Sequence, residues 1–318
     1  MTERLIIDCD PGHDDAMAII LAAGDPRVEL VAITTCAGNQ TIEKVTANAL
    51  AVCAIAGIDV PVASGAAGPL VRPAVVAEDI HGDSGLDGPV LPPARREVDP
   101  RHAVDLIIDE VMAAEPHTIT LVPTGPLTNI ALAMRKEPRI VDRVKEVVLM
   151  GGAYTRGNRT PSAEFNILVD PEAAQAVFSG AWKVTMVGLD LTHQATATPD
   201  IIERIKAIDS PLSEFVVDML AFFAASYLEH QGFEAPAVHD LCCVAKMVDP
   251  LVFTTREAFV AVELTGTWTT GMTVTDFTDL LGQKHNAHVA MELDKPRLWD
   301  MTIDAIATLS ARTEAAAR

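Results

Sequence analysis

Four aspartates fall within eight residues near the N-terminus, in the run Asp8-Cys9-Asp10-Pro11-Gly12-His13-Asp14-Asp15. Leu5 to Ile7 reads as a short buried strand just before them, and Ala16 to Ala23 as a helix just after. Between the two, Pro11 fixes one backbone angle and Gly12 permits a tight turn. Asp8 and Asp10 are two residues apart, which places them on one strand face. Asp14 and Asp15 open the helix, where the positive end of the helix dipole offsets part of their repulsion. That offset is too small for four carboxylates so close together, and a bound cation would complete it. Hard oxygen ligands select Ca²⁺ or Mg²⁺, whereas Zn²⁺ prefers nitrogen and sulfur. The spacing is not that of an EF-hand, because no Glu closes a twelve-residue loop.

The elements that must hold these aspartates alternate in type. After the first strand and helix come a strand over Val28 to Cys36, a helix over Ile42 to Ala56 and a short strand over Val60 to Ala63. Thr118 to Val122, Val144 to Met150 and Lys183 to Leu189 read as further strands. Leu127 to Arg135 and Pro171 to Phe178 are the helices between them. Such alternation predicts an α/β fold: a mostly parallel central sheet flanked by helices, a doubly wound, Rossmann-like core. Ligands of open α/β sheets bind at the C-terminal ends of strands, where the aspartate run lies. Ser64 to about Pro100 is rich in Pro and Gly and reads as a long loop, which in a compact domain is functional or mobile. Beyond Leu191 extra helices follow, including Pro211 to Glu229 and Pro296 to Leu309. Val252 to Leu264 and Gly266 to Thr275 read as an antiparallel strand pair. No linker or internal repeat divides the chain, so 1–318 is expected to form a single domain.

Composition excludes several classes of partner. The formal net charge is −20, and so acidic a surface repels nucleic acid and anionic membranes alike. No run approaches the ~20 apolar residues of a transmembrane helix. The N-terminus shows no basic segment followed by an apolar stretch and a cleavage site. Five cysteines, with no CxxC pair and mostly in apolar runs, read as buried free thiols, which fits a reducing cytoplasm.

The aspartate run resembles the N-terminal signature of the inosine-uridine preferring nucleoside hydrolase family. Further segments resemble the same family in order. They are Thr35-Cys36-Ala37-Gly38-Asn39, His81-Gly82-Asp83-Ser84-Gly85-Leu86 and Pro123-Thr124-Gly125-Pro126-Leu127-Thr128-Asn129. Met150-Gly151-Gly152 then leads through Asn158 to Glu164-Phe165-Asn166 and Asp170-Pro171-Glu172-Ala173-Ala174, and His239-Asp240 completes the set. The resemblance implies a ribonucleoside hydrolase that cleaves the N-glycosidic bond to give ribose and free base. It implies one Ca²⁺ per subunit, held by Asp10, Asp15, Asp240 and the backbone carbonyl of Thr124. It further implies Asp10 as the general base for the attacking water, and a homo-oligomer, tetramer or dimer, acting in nucleoside salvage.

By the same resemblance, Asp14 and Asn166 contact the ribose hydroxyls, Asn39 lies in the same shell, and Asn158 and Glu164 meet the 5′ side. His239, next to a metal ligand, is the candidate to protonate or orient the departing base. His81 lies in the long loop and can close over the base. Tyr227 and Gln231 are one helical turn apart and share a face, in the reverse order to the pyrimidine-preferring branch of the family. Purine-preferring members lack a His at the place of His239 and use aromatic stacking, whereas none of the three Trp here falls in a matching motif. An inosine-uridine or pyrimidine preference is therefore expected. Two other readings differ in class. A haloacid-dehalogenase-type phosphohydrolase shares the Asp8-Cys9-Asp10 spacing but requires Thr or Val where Gly12 stands. A Ca²⁺-dependent nucleoside-binding or sensing protein would keep the fold without turnover.

Overall fold

The computed structural model describes residues 2–316, apart from the side chain of Gln231. A nine-stranded sheet runs through it in the order β3-β2-β1-β4-β5-β6-β9-β7-β8. The strands β1 (Glu3–Cys9), β2 (Val28–Thr35), β3 (Val62–Ser64), β4 (Ile119–Pro123), β5 (Glu146–Met150) and β6 (Val184–Val187) are all parallel. The chain winds outward from β1 through β2 to β3, then returns to start again at β4. The sheet therefore reverses direction between β1 and β4, the switch point at which such folds bind ligands. Register levels the strand ends there: Asp8 lies opposite Thr34 of β2 and Pro123 of β4.

Side chains alternate across the sheet as strand geometry requires. Leu5 and Ile7 of β1 enter one apolar core and Ile6 enters the other. The first core is covered by α1 (His13–Gly24), α2 (Ile42–Ala56) and several later helices, and the second by α4 (Ala103–Ala113), α5 (Thr128–Lys136) and α7 (Pro171–Phe178). The helix α1 is buried on all sides along Ala16–Ala22, as befits a helix apolar around its whole circumference. Local signals set several boundaries. Gly57 adopts the left-handed conformation (φ 63°) that ends α2. Asp170 caps α7 through the Ala173 N–H, with Pro171 in its first turn.

The C-terminal half departs from the expected pattern in two ways. The strand β9 (Ala287–Leu293), absent from the sequence reading, inserts between β6 and β7 (Phe253–Val262), parallel to the first and antiparallel to the second. The antiparallel pair β7–β8 is present, but β8 spans Thr273–Asp276 and does not begin at Gly266. Residues 266–271 form a turn instead, in which the Gly266 carbonyl accepts from the Thr270 N–H. The helix α10 (Pro211–Gln231) is long and apolar enough to cross a membrane by length and mean composition, although Glu214, Asp218 and Glu229 interrupt it and no continuous apolar run spans it. Half of that stretch is buried inside the protein, where it packs on α3 (Glu78–His81), α9 (Pro199–Lys206) and α12 (Lys295–Ala316). Its apolarity is accounted for by that packing. The helix α3 is the one regular element in the long segment between β3 and α4.

Candidate active site

A cleft with about 700 Å³ of empty space, open solvent at its mouth included, opens at the switch point. Its floor carries Asp14, Asn39, Thr124, Asn166 and Asp240, and its walls carry His81, Asn158, Glu164, Tyr227 and His239. These are the expected catalytic, substrate-binding and metal-binding residues with three exceptions. Asp10 and Asp15 lie just beneath the floor. Gln231 closes α10, and its side chain lies outside the described residues.

Carboxylate oxygens of Asp14, Asp15 and Asp240 come within 4.8 Å of one another, all buried. The two N-terminal members stand in the first turn of α1, where Asp15 Oδ2 accepts from the Gly12 N–H at 3.0 Å. Asp240 arrives from the start of α11 (Leu241–Val248). Asp10 is fully buried beside them. Its Oδ2 accepts from the Asn39 N–H at 2.6 Å, while its Oδ1 and Asp14 Oδ1 have no hydrogen-bond partner. No Lys or Arg forms an ion pair with any of the four among the described residues. Burial raises all four carboxyls, and repulsion from neighbouring aspartates raises Asp10, Asp14 and Asp240 further: Asp14 reaches about 7, and Asp10 and Asp240 stand well above the usual range. Buried, unpaired, mutually repelling oxygens are what a hard cation would satisfy.

Asp8 does not join this group, contrary to the expected shared strand face. The strand β1 ends at Cys9, so its alternation stops before Asp10. Asp8 Oδ1 instead accepts from Thr34 Oγ1 (2.6 Å) and Asn129 Nδ2 (2.8 Å), tying β1 to β2 and α5. Burial outweighs both bonds and lifts its pKa to about 7. Thr124 meets the acids through its hydroxyl, which donates to Asp15 Oδ1 at 2.7 Å, while its carbonyl accepts from Asn166 Nδ2 at 2.7 Å.

The other polar residues are held from behind. Glu164 caps α6 (Phe165–Val169), accepting from the N–H groups of Gly152, Asn166 and Ile167, and burial still raises it to about 7. Asn158 Oδ1 accepts from the Phe165 N–H. Asn39 Nδ2 donates to the Asp10 carbonyl. His239 is bonded at both nitrogens, Nδ1 to Thr192 Oγ1 (2.6 Å) and Nε2 to the Tyr227 hydroxyl (2.5 Å). It lines the cleft beside Tyr227. Burial, reinforced by His193, lowers His239 to about 3, so it is neutral. His81 Nδ1 lies 3.0 Å from His13 Nδ1, and burial keeps His81 well below its ordinary value.

Several residues in or behind the cleft wall escaped the sequence reading. Phe223 lies one turn before Tyr227 on α10, and that spacing was an available signal. Arg159 follows Asn158 directly and forms an ion pair across the mouth with Asp79 at 2.8 Å. His13 sits inside the aspartate run itself, and its contact with His81 spans 68 residues of sequence.

Fold and site together define a doubly wound α/β protein with an acidic, cation-compatible pocket at its switch point, faced by neutral histidines and a tyrosine. The description of the inosine-uridine preferring nucleoside hydrolase family, enzymes that hydrolyse the N-glycosidic bond of nucleosides, matches residues 5–300, and the chain belongs to that family. It is 55% identical over 309 residues to the inosine-uridine preferring nucleoside hydrolase of Crithidia fasciculata, covering 96% of this chain and 98% of the relative. It is 45% identical to the pyrimidine-specific ribonucleoside hydrolase RihB of Escherichia coli O157:H7, covering 95% and 96%. Among solved structures, the purine-preferring ribonucleoside hydrolase from Gardnerella vaginalis superposes with a TM-score of 0.91 at 35% identity, covering 97% and 99%.

Proposed function

We propose that the protein hydrolyses inosine and uridine, or pyrimidine ribonucleosides more broadly, to ribose and free base with one Ca²⁺ per subunit. The observation that carries this reading is the set of buried carboxylates, unpaired with any Lys or Arg among the described residues, at the floor of the cleft. Asp10, Asp15, Asp240 and the Thr124 carbonyl would hold the ion, with Asp14 close beside them. The chemistry such an ion supplies is neutralisation of the carboxylates and acidification of water.

The protein's own residues do the rest. Asp10 Oδ1, buried and unpartnered, takes the proton of the attacking water as its oxygen bonds to the anomeric carbon. The C–N bond breaks with positive charge developing on the ribose, and the surrounding carboxylates stabilise it. The electron pair leaves with the base, which takes a proton delivered through the Tyr227–His239 pair. Asp14, Asn39 and Asn166 bind the ribose hydroxyls, and Asn158 and Glu164 the 5′ side. A deoxyribose would leave these buried groups unpaired. His81, Tyr227 and Gln231 are the candidates to meet the base.

The unbroken nine-stranded sheet supports reading 1–318 as one domain. Trp268, Val274, Leu280 and Leu281 are exposed on and around the edge strand β8, which supports a homo-oligomer, dimer or tetramer. The five buried free thiols favour a reducing, cytoplasmic setting. The testing experiment is release of reducing sugar from inosine, uridine and cytidine, with chelator and after Ca²⁺ is restored. Ribose lost with chelator and recovered with Ca²⁺ is expected. Stoichiometric nucleoside binding without ribose would replace the hydrolase by a binding protein, and activity that survives exhaustive chelation would remove the ion.

A further inference from the structure

His13 is fully buried behind the cleft wall. It lies flat against Phe223, with centroids 4.9 Å apart and planes 4° apart, and stacks on Phe222 and His81 as well. Its two nitrogens have different partners. Nε2 is 2.9 Å from the backbone carbonyl of Asp87, and Nδ1 is 3.0 Å from His81 Nδ1. A carbonyl only accepts, so His13 Nε2 must carry a proton. No carboxylate bonds the ring, and a buried imidazolium without an anion is costly, so His13 holds that single proton and its Nδ1 is bare. The proton between the facing nitrogens then belongs to His81 Nδ1, which leaves His81 Nε2 bare. His81 lines the cleft, and no other hydrogen bond to its ring occurs among the described residues.

We propose that His13 is a positioning residue that locks His81 in the tautomer with a bare Nε2, so that His81 accepts a hydrogen bond from an N–H donor on the nucleobase. The inference rests on the hydrolase reading for its ligand, but the tautomer stands on the protein alone. The donor is the ring N–H of uracil or hypoxanthine, or the exocyclic amine of cytosine. A bare nitrogen cannot give a proton, so His81 selects the base and the leaving-group proton comes from Tyr227 and His239. Gly12 belongs to the same device. A Cβ there would stand 2.5 Å from His81 Nδ1 and 2.7 Å from its Cε1, so any side chain would displace the ring.

The direct test is long-range ¹H–¹⁵N correlation on the full chain with ¹⁵N-labelled histidine, assigned with His81→Phe and His13→Phe. His81 should show a protonated Nδ1 and an unprotonated Nε2, with His13 the reverse, and in His13→Phe the single His81 tautomer should give way to a mixture. A protonated His81 Nε2 in the unmodified protein, or a His81 tautomer unchanged in His13→Phe, overturns the proposal. His81→Phe alone suffices for the assignment should His13→Phe fail to fold. In kinetics, His13→Phe keeps the aromatic stack and should lower kcat/KM for uridine and inosine roughly 10- to 100-fold, the loss of one hydrogen bond in a buried site. p-Nitrophenyl riboside, whose leaving group has no N–H, should change by about twofold or less, because that bond never forms with it. Equal losses on both would mark His13 as merely structural and overturn the proposal. The stated tautomers in a protein that hydrolyses no nucleoside would reject the hydrolase reading and still support the lock.

Discussion

The molecule buries acids at both ends of its sheet and treats them in opposite ways. At the N-terminal end of β5, Glu146 accepts from Lys246 Nζ at 2.8 Å, from Lys183 Nζ at 3.3 Å and from Thr185 Oγ1. Burial pushes that carboxyl up, yet the Lys246 ammonium and the hydrogen bonds outweigh it and hold Glu146 below its ordinary value. At the C-terminal ends, Asp10, Asp14, Asp15 and Asp240 are as deeply buried, and burial raises every one. The same short helix, α11, contributes to both ends, with Asp240 at its start and Lys246 near its finish. Burial is common to the two regions, so it cannot be what separates structure from function. The difference is the counter-charge: Glu146 carries its cation within the fold, and among the described residues no Lys or Arg pairs with the aspartates.

The largest way to break this comparison is to remove a member of the unpaired set. Asp10→Asn should lower kcat by about 10³-fold or more, the loss of a general base. In chelator the same variant should melt at a higher temperature than the parent, because a buried acid without a counter-charge has been replaced by a neutral isostere. A lower melting temperature in chelator would show that the ionised Asp10 is already compensated within the protein, and the contrast with Glu146 would collapse.

Acidity sharpens the comparison next. Asp14, normally near 3.8, stands at about 7 in the folded chain without metal, and Asp8 and Glu164 are raised likewise, to about 7. A raised folded pKa means that the native state binds more protons. The stability it contributes is present below the unfolded value and is lost as pH climbs through about 7. Glu146, lowered, contributes the opposite way: its share is present above the unfolded value of 4.5 and is lost as pH falls through the folded one. The metal-depleted protein should therefore lose stability between pH 5 and 8. Ca²⁺ favours deprotonated ligands, so the melting-temperature gap between loaded and depleted protein should widen over the same interval. A gap that is flat or shrinks would detach the acids from the ion.

Glu146→Gln examines the other end. It leaves Lys246 largely buried without an anion, which should cost about 3 kcal/mol in denaturant unfolding. The folded variant should keep kcat/KM within about twofold, since nothing at that end reaches the cleft. A large loss of rate at undiminished stability would show that the two ends are coupled through α11.

How much of this was legible beforehand depends on distance along the chain. The aspartate run and its place at the C-terminal end of a strand were readable because ligand spacing and strand–helix alternation are local. Gly57 and Asp170-Pro171 likewise end α2 and begin α7 where the sequence places those boundaries. The insertion of β9 between β6 and β7 was not legible, because a seven-residue strand carries no record of which edge it will join. Asp8 misled for a related reason: its period-two relation to Asp10 holds only while the strand continues, and β1 stops between them. The facing nitrogens of His13 and His81, and the Arg159–Asp79 pair, join residues 68 and 80 apart in sequence. No pattern within one element could announce them.

That last pair is a third kind of acid, and it yields the smallest expected effect. Asp79 meets Arg159 at 2.8 Å over the mouth of the cleft, yet its side chain is 41% exposed and that of Arg159 33% exposed. Water screens such a pair, and holding two flexible side chains together has an entropic cost, so its worth is about 1 kcal/mol or less. Arg159 also stands 6.0 Å from the Phe165 ring centroid, so its removal loosens one rim of the cleft without touching the floor. Arg159→Ala should raise KM for uridine by at most about fivefold and leave kcat unchanged, and Asp79→Ala should do the same without adding to it. A tenfold fall in kcat would place Arg159 at the reacting atoms. Counter-charge would then matter at the rim as it does on the floor, and the boundary between an acid that holds the fold and an acid that serves the reaction would have to be drawn elsewhere.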